Sequence, residues 1–191
     1  MFKRKSIRLE GFDYSHVGYY FVTICVHHRM NLFGNIVNGQ VVLNDAGHMV
    51  KSVWDELPMH YPIEIDAFVV MPNHIHGIIY IVGATPRGCP IIKGQAQGPA
   101  PTISLSDIVH RFKSFSAHKY QYNVLNNGWM AFHGKLWQRN YYDHIIRHEK
   151  ELSNIRQYIL NNPAQWETDI NNVETQNFAS LQEFDNPNHL C

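Results

Sequence analysis

Residues 67–82, AFVVMPNHIHGIIYIV, are the most apolar stretch of this 191-residue chain and the one that most limits its fold. Runs rich in β-branched and aromatic residues flank Pro72-Asn73, a turn signal, so 67–71 and 75–82 read as two buried strands. Residues two apart in a strand point to one face, so His74 and His76 project side by side with Cα atoms roughly 7 Å apart. Two neighbouring imidazoles on a rigid strand make a half-site for a divalent metal. The chain has 13 His, and a bare His-x-His is equally read as two buried imidazoles satisfied by hydrogen bonds. Residues about eighty positions downstream bear on that choice.

With 45% hydrophobic residues, 191 positions suffice for one well-buried domain with an insertion or tail. No apolar run approaches the roughly 18–20 residues that span a bilayer. The basic N-terminus, MFKRKSIRLEGF, lacks an apolar signal-peptide core. Cys25, Cys89 and Cys191 are odd in number and share no ligand spacing, which fits a reducing cytoplasm. Net charge is zero, yet residues 157–191 carry five acids and no Lys or Arg, whereas residues 1–156 carry 16 bases against 11 acids. The body is mildly basic and the tail acidic.

Lys3, Arg4, Lys5 and Arg8 form a basic arm, either a solvated tail or a phosphate contact. Residues 19–27 (YYFVTICVH) read as the first long strand. Asn38-Gly39 between 32–37 and 40–43 marks a small hairpin. Asn44 caps a helix expected to reach Leu57, with Ala46, Met49, Val50, Val53, Trp54 and Leu57 as its stripe and Pro58 and Pro62 ending it. Residues 83–103 are rich in Gly, Pro and Ala and read as a mobile surface loop within one domain. Ser104-x-x-Asp107 opens a helix with Leu105, Ile108, Val109, Phe112 and Phe115 on its inner face. Arg111, Lys113, His118 and Lys119 lie away from that stripe, a solvated face or a basic contact surface. Residues 136–146 read as an extended segment. The last helix covers 148–162 with Leu152, Ile155 and Ile159 inward, and Pro163 closes it. Trp166 and Phe178 in the polar tail are possible docking points.

That last helix carries Tyr158 and Asn162. Four residues apart, they share one face with Cβ atoms about 5–6 Å apart. Against His74 and His76 they would place an amide oxygen beside two imidazoles and a phenol one turn away. Tyr158 also reads as a packed aromatic, and Asn162 as a helix terminator. Tyr141 and Tyr142 are rival nucleophiles, but no metal-capable amide follows them one helical turn later. Asp143 and His144 suit either a hydrogen bond to a metal ligand or plain packing.

MPNHIHGIIYI, LWQRNYYDHIIR and YILNNPAQWETD, in this order and at these separations, resemble the single-tyrosine HUH transposases, and in particular their REP-associated branch. RLEGFDYSHVGYYFVTICVHHR is similar to that branch's first strand, and the resemblance spans residues 6–170. It implies Tyr158 as nucleophile and His74, His76 and Asn162 as ligands of Mg²⁺ or Mn²⁺. Asn162 stands where insertion-sequence relatives commonly carry Gln. It implies an α+β fold: a four- to five-stranded antiparallel sheet, ferredoxin-like or RRM-like, with helices mainly on one face. One catalytic domain would cover 1–165, followed by a polar acidic tail, 166–191. The implied activity is a metal-dependent single-stranded DNA endonuclease and strand transferase forming a 5′-phosphotyrosine on hairpin-containing DNA. The protein would be cytoplasmic, use no nucleotide cofactor or membrane, and act as monomer or homodimer, with the tyrosine serving its own subunit or a partner. DNA contacts are expected from Lys3, Arg4, Lys5, Arg8, Arg111, Lys113, Lys119, Arg139 and Arg147. Two rivals differ in kind: a silent DNA-hairpin binder of the same fold, and a metal-dependent hydrolase with no covalent intermediate.

Overall fold

The structure, a computed structural model, describes residues 14–82 and 103–166. The expectations for Lys3, Arg4, Lys5 and Arg8, for most of the 83–103 loop and for the tail beyond Trp166 lie outside the described residues.

In chain order the elements are β1 (Gly18–Cys25), a 3₁₀ turn (His27–Arg29), β2 (Gly34–Val37), β3 (Gln40–Leu43), α1 (Asp45–Asp55) and α2 (Leu57–His60). There follow β4 (Ile63–Met71), β5 (His74–Ile81), α3 (Leu105–Asn127), β6 (Tyr142–Ile146), α4 (Glu149–Asn161) and a second 3₁₀ turn (Asn162–Gln165). Four strands form one antiparallel sheet in the order β4-β5-β1-β6, and β2 and β3 pair separately. The Asn38-Gly39 turn has both residues at positive φ, 50° and 72°, as a tight two-residue hairpin requires.

Alternation along β1 and β5 divides the core between two faces. Tyr20, Val22 and Ile24 of β1 with Ile75 and Ile79 of β5 pack against Val50, Val53 and Trp54 of α1 and Ile108, Val109 and Phe112 of α3. Phe21, Ile78 and Ile146 face the other way, against Leu152, Ile155 and Ile159 of α4. The two longer layers of helix thus lie on one face, and α4 alone covers the other. His74 and His76 follow Ile78 in alternation, so the sheet turns them toward α4.

Four local differences from the sequence reading have physical causes. Pro58 does not end α1; it occupies the first turn of α2, where its missing N–H costs no hydrogen bond. Phe115 is 52% exposed, because the inner line of α3 runs Ile108, Phe112, Ser116, Tyr120 at four-residue steps. Ser116 takes the inward place; its hydroxyl donates to the Phe112 carbonyl at 2.6 Å and accepts from Trp137 Nε1 at 2.8 Å. Residues 136–146 are not one strand: Trp137 makes a lone bridge to Val26, and β6 begins only at Tyr142. Between them Lys113 Nζ donates to the carbonyls of Gln138, Arg139 and Asn140 at 3.0, 3.4 and 3.1 Å, holding backbone that a neighbouring strand would otherwise pair. Finally, Pro163 does not stop the last helix, since the chain continues from Asn161 through the turn Asn162–Gln165.

Candidate active site

β5 begins at His74, directly after the Pro72-Asn73 turn, so both histidines stand at one end of a central strand. Both are buried, 7% and 4% exposed. Their Nε2 atoms face each other at 3.0 Å. Each ring is set by a partner on its other nitrogen. Asn73 Oδ1 lies 2.8 Å from His74 Nδ1, while Nδ2 of the same amide donates to the Arg29 carbonyl at 3.3 Å. A carbonyl oxygen only accepts, so His74 Nδ1 carries the proton and its Nε2 presents a lone pair. Thr23 stands opposite His76 in the β1–β5 register, and its Oγ1 meets His76 Nδ1 at 2.8 Å. A hydroxyl both donates and accepts, so Thr23 serves either tautomer of His76. Phe21 stacks on the His76 ring with centroids 5.5 Å apart.

Burial in this apolar setting pushes both imidazoles away from protonation. His74 is lowered to about 3, by desolvation first and by the Arg29 charge second. His76 is lowered well below its ordinary value by desolvation and by His74. At neutral pH the pair is uncharged, the form that binds metals.

The 3₁₀ turn after α4 prolongs the helix, so residues 158, 162 and 166 follow one line. Tyr158 sits at one end: its hydroxyl is 3.5 Å from His76 Nε2, and the two rings are 5.3 Å apart at 63°. Trp166 sits at the other and stacks on His74 at 6.0 Å and 20°. Asn162 lies between these two residues and is fully buried. It makes contacts elsewhere, yet its Oδ1 atom is buried and accepts no hydrogen bond.

These donors fit a divalent ion. Ligands at right angles, each about 2.1 Å from one ion, stand about 3 Å apart. The two Nε2 atoms are separated by 3.0 Å, and both Nδ1 atoms are anchored as metal-ligating imidazoles require. Among the described residues no three His, Cys, Asp or Glu side chains form a metal cluster, so the third protein donor has to be an amide.

The rival tyrosines separate by face. Tyr141 packs in the core under α3, with Lys113 Nζ 5.3 Å from its ring centroid. Tyr142 faces α4 and meets Phe21 edge-on at 6.2 Å. His144 pairs with the buried Glu151 at the start of α4, Nε2 to Oε1 2.5 Å, and Glu151 Oε2 accepts from the Arg147 N–H at 2.8 Å. Burial raises the Glu151 carboxyl, but these hydrogen bonds outweigh it and hold it below its usual range. Strand alternation directs Asp143 to the α3 side with Ile145.

Of the expected DNA contacts, Arg111, Arg139 and Arg147 are exposed. Lys113 is engaged with three carbonyls, and Lys119 reaches Glu56 at 3.3 Å. Thr23, Phe21 and Trp166 are site residues that the motifs did not single out. Asn73 lies inside MPNHIH and was legible there as a neighbour, whereas Thr23 is found only through strand register.

Residues 98–162 match the family described as "Transposase IS200 like". An uncharacterized protein of Haemophilus influenzae is 42% identical over 174 residues, covering 87% of this chain and 91% of its own length. A candidate REP-associated tyrosine transposase of the same organism is 24% identical over 155 residues, covering 80% of this chain and 73% of its own. A solved REP-associated tyrosine transposase bound to a REP hairpin superposes with a TM-score of 0.54 at 20% identity, covering 84% of this chain and 73% of that one, which establishes a common fold. The chain belongs to the IS200-like transposase family.

Proposed function

We propose that this protein is a metal-dependent single-stranded DNA endonuclease and strand transferase that acts on hairpin-containing DNA through a 5′-phosphotyrosine on Tyr158. The observation that carries this reading is the Tyr158 hydroxyl at 3.5 Å from His76 Nε2, itself 3.0 Å from His74 Nε2. His74, His76 and Asn162 would hold Mg²⁺ or Mn²⁺. The bound ion supplies positive charge that polarises a non-bridging phosphate oxygen and favours the phenolate of a group whose ordinary pKa is near 10.

Tyr158 Oη attacks phosphorus, and the bond from phosphorus to the 3′ oxygen breaks. The phenolic proton is released, the 3′ oxygen takes up a proton, and the strand ends as a 5′-phosphotyrosine and a free 3′-OH. The phosphodiester bond energy is retained, so a second 3′-OH can reverse the step and join strands without ATP. Phe21, Tyr158 and Trp166 wall the imidazoles from bulk water, which strengthens electrostatic interactions at the site. Because Tyr158 reaches His76 within one chain, the tyrosine serves its own subunit. The hairpin bound by the structural relative supports the substrate class, and the protein would act on DNA in the cytoplasm.

The test is incubation of the purified protein with single-stranded hairpin DNA and Mn²⁺, followed by a denaturing gel. A protein–DNA adduct that disappears in Tyr158→Phe is expected. Cleavage without any adduct would favour a hydrolase, and a normal adduct from Tyr158→Phe would move the nucleophile elsewhere.

A further inference from the structure

Away from the imidazole pair, an open groove of about 840 Å³ runs between α3 and residues 132–139. Its α3 wall is formed by His110, Lys113, Ser114, Ala117, His118 and Gln121, at helical steps of three and four that keep them on one face. The opposite wall adds Lys135 and Arg139. The lining contains these three cationic side chains, two histidines and no acid. This face differs from the Arg111 and Lys119 side of the helix that the sequence pointed to.

We propose that this groove seats the sugar–phosphate backbone of the duplex stem of the DNA hairpin; the inference rests on hairpin DNA being the substrate. Charge sign selects a polyanion. From His110 to Gln121 the helix runs about 16 Å at 1.5 Å per residue, close to five phosphates of one duplex strand at about 3.4 Å each. The walls favour backbone over bases. Leu136 and Trp137 are buried, at 1% and 4% exposure, and Phe132 is half-buried, so unpaired bases find little to stack on. The groove is also connected to the catalytic end of the sheet. Gln138 N–H donates to the Cys25 carbonyl at 2.9 Å, and His27 N–H to the Leu136 carbonyl at 2.8 Å. Cys25 is the register partner of His74. A stem lying in the groove therefore delivers its flanking single strand around the sheet edge to the His74–His76 pair.

The experiment measures salt-dependent affinity of the full chain for two probes: a GC-rich DNA hairpin with a single-stranded flank, and that flank alone. Lys135→Gln combined with Arg139→Gln removes two exposed charges, and Lys51→Gln on α1 serves as the control for net charge. Loss of two duplex phosphate contacts should flatten the salt slope by about 1.8, shrinking the affinity loss between 50 and 200 mM salt roughly 12-fold. Hairpin affinity should fall with that flattening, while affinity for the flank alone stays at the wild-type level. An unchanged hairpin slope overturns the proposal, and so does an equal loss on both probes or an equal effect of Lys51→Gln. If the wild type forms no covalent adduct while the groove variant still loses hairpin affinity, the catalytic reading fails and this one stands.

Discussion

Gly77→Ala places a methyl group where the structure has no room for one. A Cβ built on Gly77 would stand 2.4 Å from Trp54 Cζ2 and 2.8 Å from Cη2, with Phe68 Cδ2 at 3.1 Å. Carbon contacts sit at about 3.5–4.0 Å, so the indole has to retreat by more than 1 Å. It cannot do so freely. Phe68 stacks on one side of it at 4.5 Å and 8°, and Phe112 meets it edge-on at 5.3 Å. Such overpacking costs about 1–3 kcal/mol, while replacing a strand glycine by alanine returns only about 0.5–1. The net expectation is destabilisation by about 1–2 kcal/mol, read from urea unfolding midpoints at constant m-value. Because His76 is the preceding residue, the displaced strand should also lower cleavage in excess of the stability loss. Trp54→Phe removes the two outer-ring carbons, and the Nε1 it deletes has no hydrogen-bond partner. In the double mutant the penalty of Gly77→Ala should therefore shrink, a coupling that a two-mutant cycle isolates. Equal stability of wild type and Gly77→Ala, or strict additivity with Trp54→Phe, would refute the packing argument.

Three further outcomes are expected. Tyr158→Phe should abolish the covalent adduct on a denaturing gel and leave DNA affinity intact, whereas Tyr141→Phe and Tyr142→Phe should retain the adduct. Thr23→Val keeps the side-chain shape but removes the partner of His76 Nδ1, so Mn²⁺ affinity measured by titration calorimetry should fall about 10–100-fold. Arg156 forks onto Asp66 at 2.9 and 2.7 Å and holds its carboxyl below the ordinary value, mainly through those hydrogen bonds. A depressed carboxyl pKa stabilises the fold above its unfolded value near 4 and loses that effect as pH falls through the folded value. With Arg156 38% exposed, the contribution is about 0.5–1 kcal/mol. The stability difference between wild type and Asp66→Asn should be present at pH 7 and close as pH falls below about 4, read by urea unfolding at each pH.

Local chemistry was legible wherever a short-range period or a cap decides the outcome. Strand alternation alone put His74 and His76 on one face, and helical spacing alone aligned Tyr158 with Asn162. Asn44 caps α1 through the Gly47 N–H, and Ser104 with Asp107 forms the capping box of α3, both with partners within three residues. The antiparallel sheet and the Asn38-Gly39 hairpin follow from signals of the same short reach. Proline was read less well: Pro58 and Pro163 looked like stops, but each occupies the first turn of a new helical segment. Everything that required knowing which element lies across from which was left to the tertiary structure. Thr23 meets His76 because β1 and β5 pair in one of several possible registers. Phe115 turns outward because α3 seats Ser116 against Trp137. Trp166 covers His74 only because the chain keeps turning past Pro163. Lys113, read from its helix face as a surface cation, folds back onto carbonyls 25 to 27 residues away. Periods of two and 3.6 residues specify which side chains share a face. Which face meets which is set by packing between elements distant in sequence, and that packing carries Tyr158 to the imidazole pair.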